Sequence, residues 1–548
     1  MHVHVISNNK KEYNIEIIPG TKVSEIILQI STDTNYQILI CKVDNHYRDL
    51  NHFINHPCTI ELFDMRNNYA WLVYQNSLIL LYKKAVFDIL GNVQVNILNS
   101  LNKGLYTTIK HNISNEMVQS IENRMKELVL LKHSITKTHL TKNEFLAKNK
   151  NKENELIISS LDTINDLEVY TLDNQHELFY SHLVPNTSYL KEFELKRYRN
   201  GILLRYPHIS NPNLIPIYED QKQLYDAFSE ADHWEKLMGV RFVYELNNKI
   251  KNNEYQNLIM LQEALHEKKI SDIADEIKNK KKRIILISGP SSSGKTSFAK
   301  RLCIQLSVIG LKPLYLGTDD YFVERSENPV DENGEKDYEC IEAVDIPLFN
   351  SQMNELLNGK KVDIPTFDFI HGTKIYGKRT VSIDKNQPII IEGIHALNEI
   401  LTKDIENKEK FKIYISPLTS LNIDHHNRIP TTDARMLRRL VRDYETRGRS
   451  ASQTIKDWPK VRKGEDQNIF PYSSQADVFF NTNYIYELAV LKKYAKPLLE
   501  QITRDEKEYA EAQRMLSFLK FFRTIEDDSM ISNNSILREF IGGSTLTK

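Results

Sequence analysis

The residues best suited to chemistry form a phosphate-binding loop near the middle of the chain. The run Gly289-Pro290-Ser291-Ser292-Ser293-Gly294-Lys295-Thr296 matches the pattern G-x-x-x-x-G-K-[ST] at every fixed position. The two glycines let backbone N–H groups approach phosphate oxygens, and the lysine and the threonine hydroxyl can reach the outer phosphates and Mg²⁺. This spacing predicts a nucleoside triphosphate site, with ATP as the default donor, that comprises the loop and the adjacent Ser297.

Acidic residues follow two other strand-like runs. Asp319 and Asp320 come directly after the run 313–316, and Glu392 ends the apolar run 389–391. Ligands of open α/β sheets lie at the carboxyl ends of the strands, so these carboxylates should meet the phosphates there. We expect Asp319 to accept the proton of an attacking hydroxyl and Glu392 to lie near Mg²⁺. A solvated acidic turn and a charge at a strand end are the alternatives.

Arginines crowd one helix-like segment downstream. They are Arg435, Arg438, Arg439, Arg442, Arg447 and Arg449. Beside a triphosphate site, a flexible segment of this kind is typical of a lid that neutralises charge in the transition state. Alone, it would equally fit a surface helix laced with ion pairs.

The flanking patterns predict the elements that must position these residues. The apolar run 284–287 precedes the loop as a buried strand would, and Phe298, Leu302 and Leu306 recur at helical spacing after it. Further strand candidates occur at 313–316, 389–391, 411–415 and 478–480, with helical segments between most of them. This alternation predicts an α/β fold with a mainly parallel sheet.

The composition of the chain limits the classes of function that it could have. The 548 residues are enough for several domains, and the formal charge of −1 gives no bulk reason to expect nucleic-acid or membrane binding, although a local patch stays open. The four cysteines form no C-x-x-C pair, and His52, His56 and Cys58 lack a fourth zinc ligand. The most lipid-like stretch, 71–90, is interrupted by polar residues. We expect a cytoplasmic protein without a membrane span.

Taken together, five segments resemble the uridine kinases, which are relatives of phosphoribulokinase. They are the loop, TDDYF at 318–322, PTFDF at 365–369, IIIEG at 389–393 and RRLVRDYETRGR at 438–449, in the family's order. The resemblance implies an ATP-dependent, Mg²⁺-dependent kinase in which Asp319 is the base for a ribose 5′-hydroxyl, Lys295 contacts the phosphates, and Thr296 and Glu392 hold the metal. It also implies that Arg442 and Arg447 reach the ATP phosphates, whereas Arg439 and Arg449 face the nucleoside.

The resemblance is less complete where the acceptor should bind. The family's ribose-binding Asp falls on Glu339, which follows an aromatic residue, Tyr338, as is usual. The Tyr and His that contact the base in pyrimidine nucleoside kinases fall on Phe367 and Gly372, and His371 is one residue early. Because base discrimination depends on such hydrogen bonds, the preferred base is left open.

The rest of the chain carries further resemblances. Residues 1–65 resemble the β-grasp TGS domain. Residues 66–240 resemble the α+β second additional domain of threonyl-tRNA synthetase, which is the editing domain of that enzyme. A helical linker at 241–282, the kinase domain at 283–485 and a helical extension at 486–548 complete the expected division. The segments 458–465, 469–471 and 535–544 are similar to long bacterial-type nucleoside kinases with the same modules.

Two other functions stay open at this point. Arg439 and Arg449 would equally serve a sugar phosphate or another small hydroxylated acceptor. Alternatively, the synthetase-like half would be the working part of an RNA-binding or regulatory protein, with the loop-bearing domain as a sensor. The sequence leaves open whether the chain forms a homo-oligomer.

Overall fold

A five-stranded sheet opens the chain. The computed structural model describes residues 1–149, 152–161, 164, 166–330, 334 and 336–547. The first elements are β1 (His2–Ile6), β2 (Glu12–Glu16), β3 (Thr21–Lys22), α1 (Val23–Ile27), β4 (Ile38–Val43), β5 (His46–Arg48), β6 (Phe53–Ile54) and β7 (Thr59–Asp64). The sheet order is β2-β1-β7-β4-β5, with β1 and β7 parallel. Its alternating strands bury one side, where Val5, Cys41 and Ile60 are fully enclosed.

Two antiparallel sheets and a long helix follow. The elements are α2 (Asn68–Leu90), β8 (Val95–Leu101), β9 (Gly104–Ile109), α3 (Asn115–Leu131), β10 (Ile135–Thr141), α4 (Lys142–Lys148), α5 (Lys152–Ser160), β11 (Asp166–Leu172), β12 (Gln175–Leu178), β13 (Glu194–Tyr198) and β14 (Gly201–Arg205). One sheet has the order β10-β11-β12 and the other β13-β14-β9-β8. Helix α2 joins both sheets in one core, because its buried face packs with residues from each. The TGS-like and synthetase-like readings of these parts stay predictions.

Three helices lead to the loop-bearing sheet, which is entirely parallel. The helices are α6 (Lys222–Met238), α7 (Val243–Lys251) and α8 (Tyr255–Asn279). The next elements are β15 (Ile284–Ser288), α9 (Lys295–Val308), β16 (Leu314–Gly317), α10 (Ile346–Leu357), β17 (Val362–Asp363), β18 (Thr366–Asp368), β19 (Thr373–Ile375), β20 (Thr380–Val381), β21 (Ile389–Glu392), β22 (Lys410–Ser416), α11 (Thr431–Arg447), α12 (Ala451–Asn468) and β23 (Val478–Asn481). The sheet order β16-β21-β15-β22-β23 places β15 at the centre, which explains why all five of its residues are buried.

The last three helices pack back onto the parallel sheet's layer. They are α13 (Glu487–Glu500), α14 (Tyr509–Leu519) and α15 (Arg538–Ile541). One hydrophobic core runs from α5 and α8 through the sheet to α15, so the C-terminal helices complete the same core as the phosphate loop's strand.

The predicted parallel sheet is confirmed. All five strand candidates overlap observed strands, and α9 begins within the predicted loop. Within the described ranges, no helix is long and apolar enough to span a membrane. The division into five domains remains a prediction.

Candidate active site

The phosphate loop has a backbone that depends on its glycines. A Cβ on Gly289 would lie 2.1 Å from the carbonyl oxygen of Ile415, and Gly294 has φ +85°, which disfavours other residues. The loop ends at the N-terminus of α9, whose free N–H groups and dipole favour anions. The Lys295 ammonium donates hydrogen bonds to the carbonyl oxygens of Gly289 (3.0 Å) and Pro290 (3.3 Å). The loop thus holds its cation at the mouth of an anion-binding backbone.

Glu392 lies beside this loop because β21 is the neighbour of both β15 and β16. Its carboxylate accepts hydrogen bonds from the hydroxyls of Thr296 (3.4 Å) and Tyr315 (3.2 Å). Burial raises the pKa of Glu392 to about 7; the charge of Lys295 opposes this shift and that of Asp319 adds to it. A buried carboxylate and a hydroxyl therefore converge where the phosphates would end.

Asp319 lies in the segment after β16, beside the end of β21, because Gly317 pairs with Glu392. Withdrawal from bulk water raises its pKa, Lys295 and Arg447 lower it, and Asp320 raises it further. Asp320 is instead in an ion pair with Arg379, at 3.4 Å. Of the two acidic residues, Asp319 is therefore the one close to the lysine and to the arginine helix.

Part of the arginine helix α11 is buried in the core of the protein, contrary to the expectation that the whole segment is a flexible lid. Arg435 and Arg438 are almost fully buried and are ion-paired with Glu465 and Glu487. Their burial, with the apolar residues beside them, makes this half of the helix part of the core. The arginines of this helix whose side chains keep more exposure are Arg439, Arg442 and Arg447.

One buried carboxylate, Asp443, forms ion pairs with three arginines of this helix. It has no solvent exposure and lies 3.2 Å from Arg439, 2.8 Å from Arg442 and 3.5 Å from Arg447. The Arg439 guanidinium also donates to the hydroxyl of Ser291 in the phosphate loop, at 2.7 Å. Asp443 thus orients three cations, and one of them already contacts the loop.

The acceptor residues expected from the sequence lie next to this group. Burial raises the pKa of Glu339, and the nearby charges of Arg439 and Lys295 lower it. A Cβ on Gly464 of α12 would lie 3.1 Å from the Glu339 Cβ, so α12 forms a close wall behind this acid. Arg449, in contrast, is paired with Asp457 at 2.6 Å.

Aromatic rings surround the next part of the cleft. Phe322 packs edge-on against Phe367 (5.7 Å between centroids), Phe369 (6.3 Å) and Tyr338 (6.4 Å). Phe369 and Tyr338 are both exposed. This aromatic cluster offers flat apolar surfaces adjacent to Glu339.

Arg325 is the polar side chain next to Gly372, one of the two positions where the family's base-contacting residues are replaced. Gly372 has φ +73°, and a Cβ there would lie 2.5 Å from the side chain of Arg325. The Arg325 guanidinium donates to the carbonyl oxygens of Ile370 (3.1 Å) and Phe369. His371 is mostly exposed and bonded to Asp368 at 2.7 Å, so it does not replace a base-contacting histidine.

Two carboxylates at the phosphate loop have no predicted role. Glu539 of α15 accepts hydrogen bonds from the Ser297 backbone N–H (3.1 Å) and hydroxyl (2.7 Å), and Glu465 accepts the N–H of Ser291 (2.8 Å). Glu539 is distant in sequence and lies in a tail with no chemical pattern of its own. Only the packing of α15 against α11 reveals its position.

The part of the chain that carries this site is similar to known kinases. The family model described as "Phosphoribulokinase / Uridine kinase family" matches residues 284–485. A uridine kinase of Lactobacillus helveticus is 30% identical over 196 residues, which are 36% of this chain and 84% of that protein. One of Staphylococcus epidermidis is 32% identical, over 36% and 85%.

The chain belongs to the phosphoribulokinase/uridine kinase family. It therefore contains a P-loop kinase domain and is a phosphotransferase with ATP as its implied co-substrate. Among solved structures, a possible uridine kinase from Bacillus stearothermophilus is 20% identical over 36% of this chain and 88% of that one, with a TM-score of 0.25 that carries no weight.

Proposed function

We propose that this family member is a nucleoside kinase that transfers the γ-phosphoryl group of ATP to the 5′-hydroxyl of a nucleoside. The observation that carries the proposal is that β15, β16 and β21 end side by side, which brings Lys295, Asp319 and Glu392 to one edge of the sheet, with the aromatic cluster and Glu339 alongside. The aromatic cluster favours a nucleoside over a sugar phosphate, because flat rings stack well on a base.

The chain's own residues supply positioning and charge. Lys295 and the loop N–H groups bind the β- and γ-phosphates, and Glu339 holds the ribose hydroxyls. Asp319 accepts the proton of the attacking hydroxyl, and Arg442 and Arg447 stabilise charge on the transferring group. Arg439 links the two halves of the site, since it contacts Ser291 and lies near Glu339.

The residues beside the loop also fit Mg²⁺. Thr296 and Glu392 present a hydroxyl and a buried carboxylate, which are oxygen donors of the kind the ion prefers. The described part of the chain has no cluster of three or more His, Cys, Asp or Glu side chains that would hold a metal alone. Bound Mg²⁺ would take its remaining ligands from ATP and water, and would neutralise charge on the β- and γ-oxygens.

A substrate panel tests the proposal. Release of ADP is measured with purine and pyrimidine nucleosides and with ribose and ribulose phosphates, for the wild type and for Lys295→Ala. We expect a nucleoside to be phosphorylated and the variant to lose activity by about a hundredfold or more. Turnover of a sugar phosphate with no nucleoside turnover would overturn the nucleoside assignment.

For the N-terminal half, we propose TGS-like and synthetase-like modules, as the resemblances imply. The mixed sheet of residues 2–64 and the α2-centred core support this division only at the level of architecture.

A further inference from the structure

A large cavity lies where the N-terminal sheet, the β10–β12 sheet and α14 meet, and no phosphate-loop residue is among the described residues that line it. Its volume is about 900 Å³, which is within the range of small-molecule sites. Four histidines line it: His46, His52, His139 and His182. We call it the histidine-lined cavity.

The lining of this cavity holds four cations and three carboxylates, which are Arg48, Lys137, Arg514 and Lys520, and Asp49, Asp166 and Glu168. Arg48 donates to the carbonyl oxygen of Tyr47 and has no ion-pair partner among the described residues. Burial lowers the pKa of His182 to about 3, and Lys137, Arg48 and His52 all lower it further. The imidazoles of His52 and His182 are therefore neutral hydrogen-bonding groups that line the same cavity as the Arg48 cation, a combination that suits a bound anion.

The hydrogen bonds in this cavity leave ring nitrogens of two histidines without a partner among the described residues. The Nδ1 atom of His182 is bonded to the Tyr69 hydroxyl at 2.8 Å, and in the part of the chain described, its Nε2 has no hydrogen-bond partner. The ring of His52 likewise makes no hydrogen bond among the described residues, and its pKa is lowered by burial and by Arg48, with Asp49 opposing. Lys137 is paired with Glu168 at 2.8 Å, towards the rim.

Aromatic rings form the remaining walls. Tyr47 and Tyr69 lie 4.2 Å apart between centroids, and Tyr180 and Phe521 lie 3.8 Å apart. Aromatic faces next to an arginine and neutral imidazoles suit a ligand with a flat ring and a phosphate.

We propose that the histidine-lined cavity is a second ligand site, separate from the kinase cleft, that binds a nucleoside monophosphate. The phosphate lies at Arg48, His52 and His182, and the base lies against the tyrosines. A mononucleotide fits the volume, and neither a bare anion nor a neutral nucleoside would use both walls.

Protection of His52 from acylation tests the proposal on the full-length protein. Diethylpyrocarbonate modifies neutral, accessible imidazoles, and the extent at His52 is read by peptide mass spectrometry with UMP, AMP, uridine or inorganic phosphate added. We expect UMP or AMP to protect His52 and uridine to give none. In Arg48→Gln, protection should need roughly 10 to 100 times more nucleotide, because one charge-assisted hydrogen bond is lost. The matched control is Lys110→Gln, an exposed lysine away from the cavity, which should behave as the wild type.

Several results would overturn the proposal. They are protection by inorganic phosphate equal to that by UMP and AMP, protection by a short oligoribonucleotide only, and no protection by any of these. If Arg48→Gln does not fold, Lys520→Gln replaces it, because Lys520 lines the cavity and is exposed. Since His52 lies outside the kinase cleft, the readout does not depend on the proposed kinase activity.

Discussion

At the scale of single residues, the site depends on carboxylates whose surroundings differ. Asp319 lies in the field of Lys295 and Arg447, whereas its neighbour Asp320 is paired with Arg379. Two adjacent residues of the same type therefore have different surroundings. We expect Asp319 to act on the substrate and Asp320 to stabilise the segment through its ion pair.

Asp319→Asn should therefore lower kcat by about 10² to 10⁴, because the amide cannot accept the hydroxyl proton. The matched change Asp320→Asn should leave most of the activity, since it removes only a partly exposed ion pair. Steady-state kinetics with the best substrate of the panel measure both. Equal losses in the two variants would show that Asp319 is not the base.

Glu539→Gln should tighten ATP binding. The carboxylate occupies the N–H and hydroxyl of Ser297 at the start of α9, and a negative charge there opposes an incoming triphosphate. We expect KM for ATP to fall several-fold with kcat little changed. A rise in KM would instead mean that Glu539 supports the loop in its binding geometry.

At the scale of elements, α11 combines structural and reactive arginines on one helix. Arg438 and Glu487 are both without solvent exposure, whereas half of the Arg447 side chain is exposed. The helix can be anchored in the core and still present cations to the cleft because Arg439 leaves it about 100° around the axis from the adjacent Arg438, and Arg442 and Arg447 lie further along it.

Arg438→Leu should lower the free energy of unfolding by about 3 to 5 kcal/mol, because it leaves the buried Glu487 without its cation. Arg447→Leu should change it by less than about 1 kcal/mol while reducing kcat. Urea unfolding followed by fluorescence, together with kinetics, separates the two effects. Similar unfolding for both variants would contradict the assignment.

Helix α6 carries a buried acid with a pH-dependent cost. Burial raises the pKa of Glu235 to about 8, and the carboxyl is bonded to Ser420. Because the folded-state pKa exceeds the unfolded value near 4.5, this group costs stability progressively as pH rises from about 4.5 to 8, by at most about 1.4 kcal/mol per unit.

Glu235→Gln should remove that slope, so the variant should gain stability over the wild type between pH 5 and 8. Urea unfolding at four pH values in this interval measures it. Asp226→Asn, on the same helix and exposed, serves as the control and should leave the slope unchanged. A parallel pH profile for wild type and Glu235→Gln would count against a neutral Glu235.

At the scale of the whole molecule, the family segment is not self-contained. Residues 284–485 match the family model, yet Arg438 pairs with Glu487 and its guanidinium lies over the Phe540 ring at 4.9 Å. A side chain of Ile536 also lies against Gly294 of the loop. The phosphate loop and the C-terminal tail thus share one packing unit.

A fragment of residues 283–485 should therefore be less stable than the full chain. It lacks Glu487 and the tail that cover Arg438 and the loop, so buried charge and apolar surface become exposed. Limited proteolysis and dye binding should show rapid cleavage and exposed apolar surface. A fragment as resistant as the full chain would show that the tail adds little to the fold.

The sequence predicts those features of the fold and the site whose residues are close together in the chain. The loop, the buried strands and Asp319 are readable because their patterns span a few residues. Arg435 and Arg438 look like Arg442 in the sequence, and only their distant partners Glu465 and Glu487 show that they are structural. Glu539 and the histidine-lined cavity arise from segments hundreds of residues apart, which no short pattern records.

The ion pair between Arg514 and Asp433 has a consequence for communication across the protein. Arg514 lines the histidine-lined cavity, and its guanidinium holds Asp433, in the first turn of α11, through two 2.8 Å bonds. A ligand bound in this cavity could change the ion pair between Arg514 and Asp433 and thereby change the affinity of the protein for ATP by some factor. Thermodynamic reciprocity then requires that ATP change the affinity for that ligand by the same factor. Titrating each ligand in the presence of the other would measure that single number twice.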